Sequence, residues 1–103
     1  MTRSRLPQRR NAELVSFSHE GVSYTAHFGC DGNGRLAEIF LDAAKEGSTA
    51  NTVARECAVI LSIALQHHTP LSIIRDALPK LQDGSPAGPI GVALSHFEQG
   101  RSA

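Results

Sequence analysis

Apolar and polar residues alternate along the first part of the chain, in segments separated by turn-forming residues. Residues 13–18, 22–28 and 35–42 place apolar side chains at every second position, which is the period of a strand with one buried face. Residues 19–21 (HEG) and 31–34 (DGNG) suit tight hairpin turns. The pattern predicts a three-stranded antiparallel meander with one face that needs cover.

From about residue 49 the apolar period changes to three and four residues, which predicts a long helix to about residue 67. Ser48 or Thr49 can cap its start. Cys57 lies within the apolar stripe and is expected to be buried. Further apolar residues make the helix apolar almost all round, so we expect it to contact other helices or a partner subunit. These additional residues are Val59, Ile60 and Ile63.

Two shorter helices are predicted after the long one. Thr69 is a suitable cap and Pro70 a suitable first helical residue, while Pro79 implies a break near the end. A loop rich in Gly and Pro follows, and the apolar residues 90–97 form the last predicted helix. The expected fold is therefore α+β, with the order βββααα and the sheet packed on two or three helices.

Composition favours one folded domain. The chain has 103 residues, 41% hydrophobic and 19% charged, which is typical of a globular protein of this size. We predict a single domain over residues 12–98 and a short tail at 99–103. Its longest apolar stretch, residues 58–65, is too short to span a bilayer, so no membrane contact is expected.

Charge is concentrated at the beginning of the chain. The formal net charge is zero, but residues 1–11 contain basic residues and no acidic one. This composition predicts a flexible basic arm. The arm could bind nucleic acid electrostatically, or it could be a solvated tail. Its basic residues are Arg3, Arg5, Arg9 and Arg10.

The cysteine and histidine patterns give little support for a metal or a disulfide. Cys30 and Cys57 form no Cys-x-x-Cys motif, which favours a reducing, cytoplasmic location. His67 and His68 are adjacent, so on a helix they point in directions about 100° apart and form a poor chelating pair. We predict no metal and no cofactor.

Four segments in order carry a family resemblance: residues 34–40 (GRLAEIF), 44–49 (AKEGST), 61–66 (LSIALQ) and 69–71 (TPL). They resemble the C-terminal region of adenosylcobalamin-dependent (class II) ribonucleotide reductases, where a GRPxE[IL]F strand leads to AKEGST and a helix ending in ISLALQYGVPL. The resemblance covers about residues 5–97. It implies a stand-alone, TSCPD-like small domain separated from the catalytic barrel.

The departures from that family predict a different role. Two cysteines are too few for the radical cysteine and the reducing pair of the reductases, and the Thr-Ser-Cys-Pro-Asp signature is absent. No catalytic residue is therefore carried over, and we predict that the chain is not an enzyme. We expect a non-catalytic interaction module that forms a homodimer or binds a ribonucleotide reductase subunit. The expected contact residues are Val59, Ile60 and Ile63.

An alternative function is a small module that binds a nucleotide or phosphate. The junction before the long helix offers free backbone N–H groups and the positive end of the helix dipole to an anion. The other interpretation is that these residues only make the turn and the cap. The candidate anion-binding residues are Lys45, Gly47, Ser48 and Thr49.

Overall fold

The computed structural model describes residues 12–102, and the side chains of residues 13–100. The basic arm predicted at residues 1–11 lies outside the described residues. The predicted α+β fold with the order βββααα is confirmed. No helix among the described residues is long and apolar enough to cross a membrane. The elements are β1 (Ala12–His19), β2 (Val22–Cys30), β3 (Leu36–Ala43), α1 (Thr49–Gln66), α2 (Leu71–Ala77) and α3 (Pro89–Ser102).

The sheet is an antiparallel meander in the order β1-β2-β3. Glu20 and Gly21 form the first turn with φ of 50° and 80°, and His19 pairs with Val22 on either side of them. Two consecutive residues at positive φ are the signature of a type I′ turn, which matches the twist of the strands that it joins.

The core lies between one face of the sheet and helices α1 and α3. The largest fully buried side chains are those of Phe28, Ile39, Leu41 and Leu94, so β2, β3 and α3 all contribute. The rings of Phe28 and Phe97 lie 5.1 Å apart between the sheet and α3. The apolar faces that the strand and helix periods predict therefore pack against each other in one layer.

Helix α1 lies along the outer edge of β3, where it satisfies backbone groups that no strand pairs. The Ser62 hydroxyl accepts the Ile39 N–H at 2.9 Å and donates to the Ile39 carbonyl at 3.0 Å. The Asn51 side-chain oxygen accepts the Ala43 N–H at 2.9 Å. These contacts cover an edge that would otherwise be free to pair with another chain.

The expected burial of Cys57 is wrong. Cys57 is exposed, whereas Cys30 on β2 is buried. The apolar stripe of α1 is wider than the surface available to cover it, so only one side of the helix faces the sheet. The buried residues of that side are Asn51, Ala54, Ala58, Leu61 and Leu65.

The ends of the later helices differ from the prediction. Pro70, in an extended conformation, is the N-cap residue of α2, and no side chain caps this helix. Thr69 lies one position before the N-cap residue, and its N–H donates to the Ala64 carbonyl and completes the end of α1. Leu78 is extended before Pro79, which is the conformation that a following proline favours. Helix α3 continues to Ser102, through residues predicted to be a tail.

Polar contacts hold the loop between α2 and α3. The Ser85 hydroxyl and the Ser85 backbone N–H both donate to Asp83, and these hydrogen bonds hold the pKa of the Asp83 carboxyl below its ordinary value. His19 Nε2 donates to the Ala87 carbonyl at 3.1 Å, which ties the end of β1 to this loop. Arg75 of α2 pairs with Glu98 of α3.

Candidate functional site

The junction predicted to bind an anion forms the start of α1. Gly47 has φ of 76°, a conformation that favours glycine. The Ser48 hydroxyl accepts the Asn51 N–H at 3.1 Å and donates to the Lys45 carbonyl at 2.7 Å. Ser48 is thus engaged as the helix cap, while Lys45 is exposed. Anion binding by Lys45, Gly47, Ser48 and Thr49 stays a prediction.

Removal of the Ser48 cap should lower the stability of the protein. Ser48→Ala should lower the free energy of unfolding by about 1 kcal/mol, because the Asn51 N–H loses its acceptor. Ser48→Asp should retain most of the stability, since a carboxylate can also cap and is favoured at a helix N-terminus. Lys45→Ala should change stability by less than about 0.5 kcal/mol. Urea unfolding followed by circular dichroism measures all three, and an unchanged Ser48→Ala variant would contradict the cap assignment.

The predicted interface residues lie on the uncovered side of α1. Val59 is 58% exposed, Ile60 69% and Ile63 53%. Ile60 and Ile63 are three positions apart and Val59 and Ile63 are four apart, so these side chains are neighbours on the helix surface. Val53, 48% exposed, lies seven positions before Ile60 on the same side. We call Val53, Val59, Ile60 and Ile63 the α1 apolar face.

Phe40 on β3 extends this apolar surface. Arg55 on α1 lies 3.6 Å from Asp42 on β3, measured from Nε to Oδ1, and Ser62 bonds to Ile39. The helix and the strand therefore run antiparallel along their contact. Between these two contact points the helix contributes the exposed Val59 and the strand contributes the exposed Phe40.

The pattern of the strands did not predict the apolar residues on the outer face of the sheet. Leu14 on β1 and Phe40 on β3 flank His27 on β2 in one cross-strand row. Leu14 is 62% exposed and Phe40 57% exposed. The sequence does contain a sign of this surface. Leu14 and Phe40 interrupt the alternation, because they are apolar at positions where a strand with one buried face has polar residues.

The remaining predictions concern the basic arm, a metal site and the cysteines. Arg3, Arg5, Arg9 and Arg10 lie outside the described residues, so nucleic-acid binding by the arm stays a prediction. Within the described part of the chain, no group of His, Cys, Asp or Glu is placed to hold a metal ion. Cys30 is only 2% exposed and lies in the core.

Comparison with known proteins finds relatives of one kind. A vitamin B12-dependent ribonucleotide reductase of Rhodopirellula baltica is 38% identical over 72 residues, which are 70% of this chain. A protein of the same name from Agrobacterium fabrum is 33% identical over 69 residues, or 67% of the chain. Another from Bradyrhizobium diazoefficiens is 32% identical over 88 residues, or 85% of the chain.

The similarity is confined to a small part of these relatives. The matched segment is 7% of the Rhodopirellula protein, 5% of the Agrobacterium protein and 7% of the Bradyrhizobium protein. No family model matches the chain. No solved structure matches it either. The resemblance predicted from the sequence is confirmed at the level of a domain-sized segment.

Proposed function

We propose that this chain, a relative of a domain-sized segment of the vitamin B12-dependent ribonucleotide reductases, acts as a non-catalytic protein-interaction module. The observation that carries the proposal is the α1 apolar face, where four large aliphatic side chains are each about half exposed or more. Contiguous apolar surface of this kind is characteristic of protein contact sites. The bordering Phe40 supplies an aromatic side chain, a residue type enriched at such contacts.

The relationship to the reductases supports the choice of partner. In those proteins the related segment is a small part of a much longer chain, which offers other polypeptide for it to contact. The partner proposed here is a second copy of this chain or a ribonucleotide reductase polypeptide. Either would cover the α1 apolar face and remove it from water, which is the main favourable term in protein association.

The placement of the cysteines supports a role without catalysis. The resemblance implies that reductase chemistry would need a radical cysteine and a reducing pair, and this chain has two cysteines. Here Cys30 is buried in the sheet core and Cys57 is exposed on α1. A buried thiol cannot meet a substrate without opening the core, and it is inert in comparison with an exposed one.

A charge on the α1 apolar face should disrupt the interaction. We expect Ile60→Glu to weaken self-association, or binding to a purified B12-dependent ribonucleotide reductase of the same organism, by about tenfold or more. The reason is that a carboxylate would have to be desolvated in an apolar contact. Sedimentation velocity over a concentration series measures the first interaction, and biolayer interferometry measures the second.

The matched control is Ile73→Glu on α2. Ile73 is 60% exposed, so the same substitution changes charge and surface apolarity equally but at another place. It should leave both interactions unchanged. A wild-type protein that is monomeric at all concentrations and does not bind the reductase would refute the proposal. Equal effects of the two substitutions would refute the assignment of the surface.

A further inference from the structure

A cleft of about 710 Å³ opens between the turn that joins β2 to β3 and the end of α1. Its volume lies within the range of pockets that bind small molecules. Its lining includes the side chains of Leu36, Leu65 and Phe97, which belong to the buried core. The cleft therefore has apolar residues suited to hold the body of an organic ligand.

The same cleft is lined by nitrogen-bearing side chains from two separate parts of the chain. Arg35 comes from the turn, and His67 and His68 come from the end of α1. All three are exposed, and their side chains make no ion pair or hydrogen bond with any part of the chain that the structure describes. A guanidinium group has the geometry to bind a phosphate or carboxylate through two hydrogen bonds.

Asp31 is the one acidic residue in the lining, and it is engaged elsewhere. Its Oδ1 accepts the Asn33 N–H at 2.8 Å and the Arg35 N–H at 3.0 Å, which shapes the turn. The carboxylate thus holds the backbone that carries Arg35. The charge of the Arg35 guanidinium remains available to a ligand.

His68 adopts a backbone conformation that its side chain disfavours. Its φ is 68°, in the left-handed region. Its N–H donates to the Leu65 carbonyl and the Thr69 N–H donates to the Ala64 carbonyl, both at 3.0 Å. This is the Schellman ending of a helix, in which glycine is the usual residue at the position of His68. Glycine would make the same turn without strain, so the turn itself does not require the side chain of His68.

We propose that this cleft binds a small organic anion, with its apolar body against Leu65 and Phe97 and its anionic group against Arg35, His67 and His68. The complementarity of charge decides the class of ligand, since the charged or ionisable side chains free in the lining are a cation and two imidazoles. The amide of Gln66 and the hydroxyl of Thr69 add neutral polar groups. His68 is then a binding residue for which the fold accepts backbone strain, as is common at functional sites. The inference is independent of the α1 apolar face.

The first test uses phenyl phosphate as the probe, titrated into the ¹⁵N-labelled protein. Amide shifts should saturate and should centre on Arg35, His67 and His68. Inorganic phosphate and phenol each carry half of the ligand, so each should bind at least about tenfold more weakly. Benzoate in a parallel titration distinguishes a preference for carboxylate from one for phosphate. Absence of saturable shifts in the cleft, or shifts centred on residues 45–49 instead, would overturn the proposal.

The second test separates binding from stability with His68→Gly. Glycine relieves the left-handed strain, so the variant should melt about 4–8 °C higher than the wild type. It should nevertheless bind phenyl phosphate about tenfold more weakly, because one hydrogen bond to the anion is lost. His27→Gln, on the outer face of the sheet, is the control and should bind normally. If His68→Gly binds as tightly as the wild type, the imidazole is not part of a site and the proposal fails.

Discussion

Phe28→Ala is expected to lower the free energy of unfolding by about 3–5 kcal/mol, which is the usual cost of deleting a buried aromatic ring. Phe28 is 1% exposed and stands at the centre of the sheet, and its ring meets that of Phe97 on α3. The substitution would leave a cavity between the sheet and α3. Domains of this size have total stabilities of about 5–15 kcal/mol, so the variant should be close to unfolding at room temperature.

Urea unfolding at equilibrium measures this effect, with Phe28→Leu as a milder variant that keeps part of the volume. Phe97→Ala and the double variant complete a double-mutant cycle. We expect a coupling energy of about 0.5–1.5 kcal/mol between the two rings beyond their area of burial. If Phe28→Ala cost less than about 1 kcal/mol, α3 could not be packed on the sheet as described. A coupling of zero would mean that the two rings do not meet in solution.

Removal of the contacts that cover the edge of β3 is expected to have the second large effect on stability. Ser62→Ala should cost about 1–3 kcal/mol, because the N–H and carbonyl of Ile39 both lose the hydroxyl as a partner. Asn51→Ala should cost a similar amount by leaving the Ala43 N–H without an acceptor. The double variant should also aggregate during prolonged incubation, since the edge of β3 becomes free to pair with another chain.

Ser62→Thr is the matched control because it retains a hydroxyl at the same position. It should remain within about 0.7 kcal/mol of the wild type, which is the range of helix propensity among ordinary residues. Chemical unfolding gives the stabilities, and light scattering over time gives the aggregation. Hydrogen exchange adds a local measurement, since the Ile39 amide should exchange faster in Ser62→Ala than in Ser62→Thr. Equal exchange in the two variants would show that Ser62 does not protect this edge.

Much of the fold follows from local patterns. Alternation over the three strands, the turn residues and the change to a helical period specify the order βββααα and the inner face of the sheet. The cap by Ser48 follows from local chemistry as well, since a hydroxyl there can reach the Asn51 N–H. The resemblance to the reductases rests on ordered motifs and also needs no coordinates.

Part of the candidate interface could be predicted in the same way. Helix α1 has more apolar residues than one buried face requires, and the additional ones are Val59, Ile60 and Ile63. Their exposure is consistent with that interpretation of the sequence. The contribution of Phe40 could not be foreseen, because it depends on α1 lying along the edge of β3. The cleft was missed for a similar reason, because Arg35 lies more than thirty positions before His67 and His68.

The sequence by itself determined the elements, their order and the excess of apolar surface on α1, because each depends on periodicity or on neighbours in the chain. Only the tertiary structure decided which side of α1 is buried. The rotation of a helix that is apolar almost all round is set by its contacts, here the hydrogen bonds that Ser62 and Asn51 of α1 make to β3. Those contacts leave Cys57 exposed.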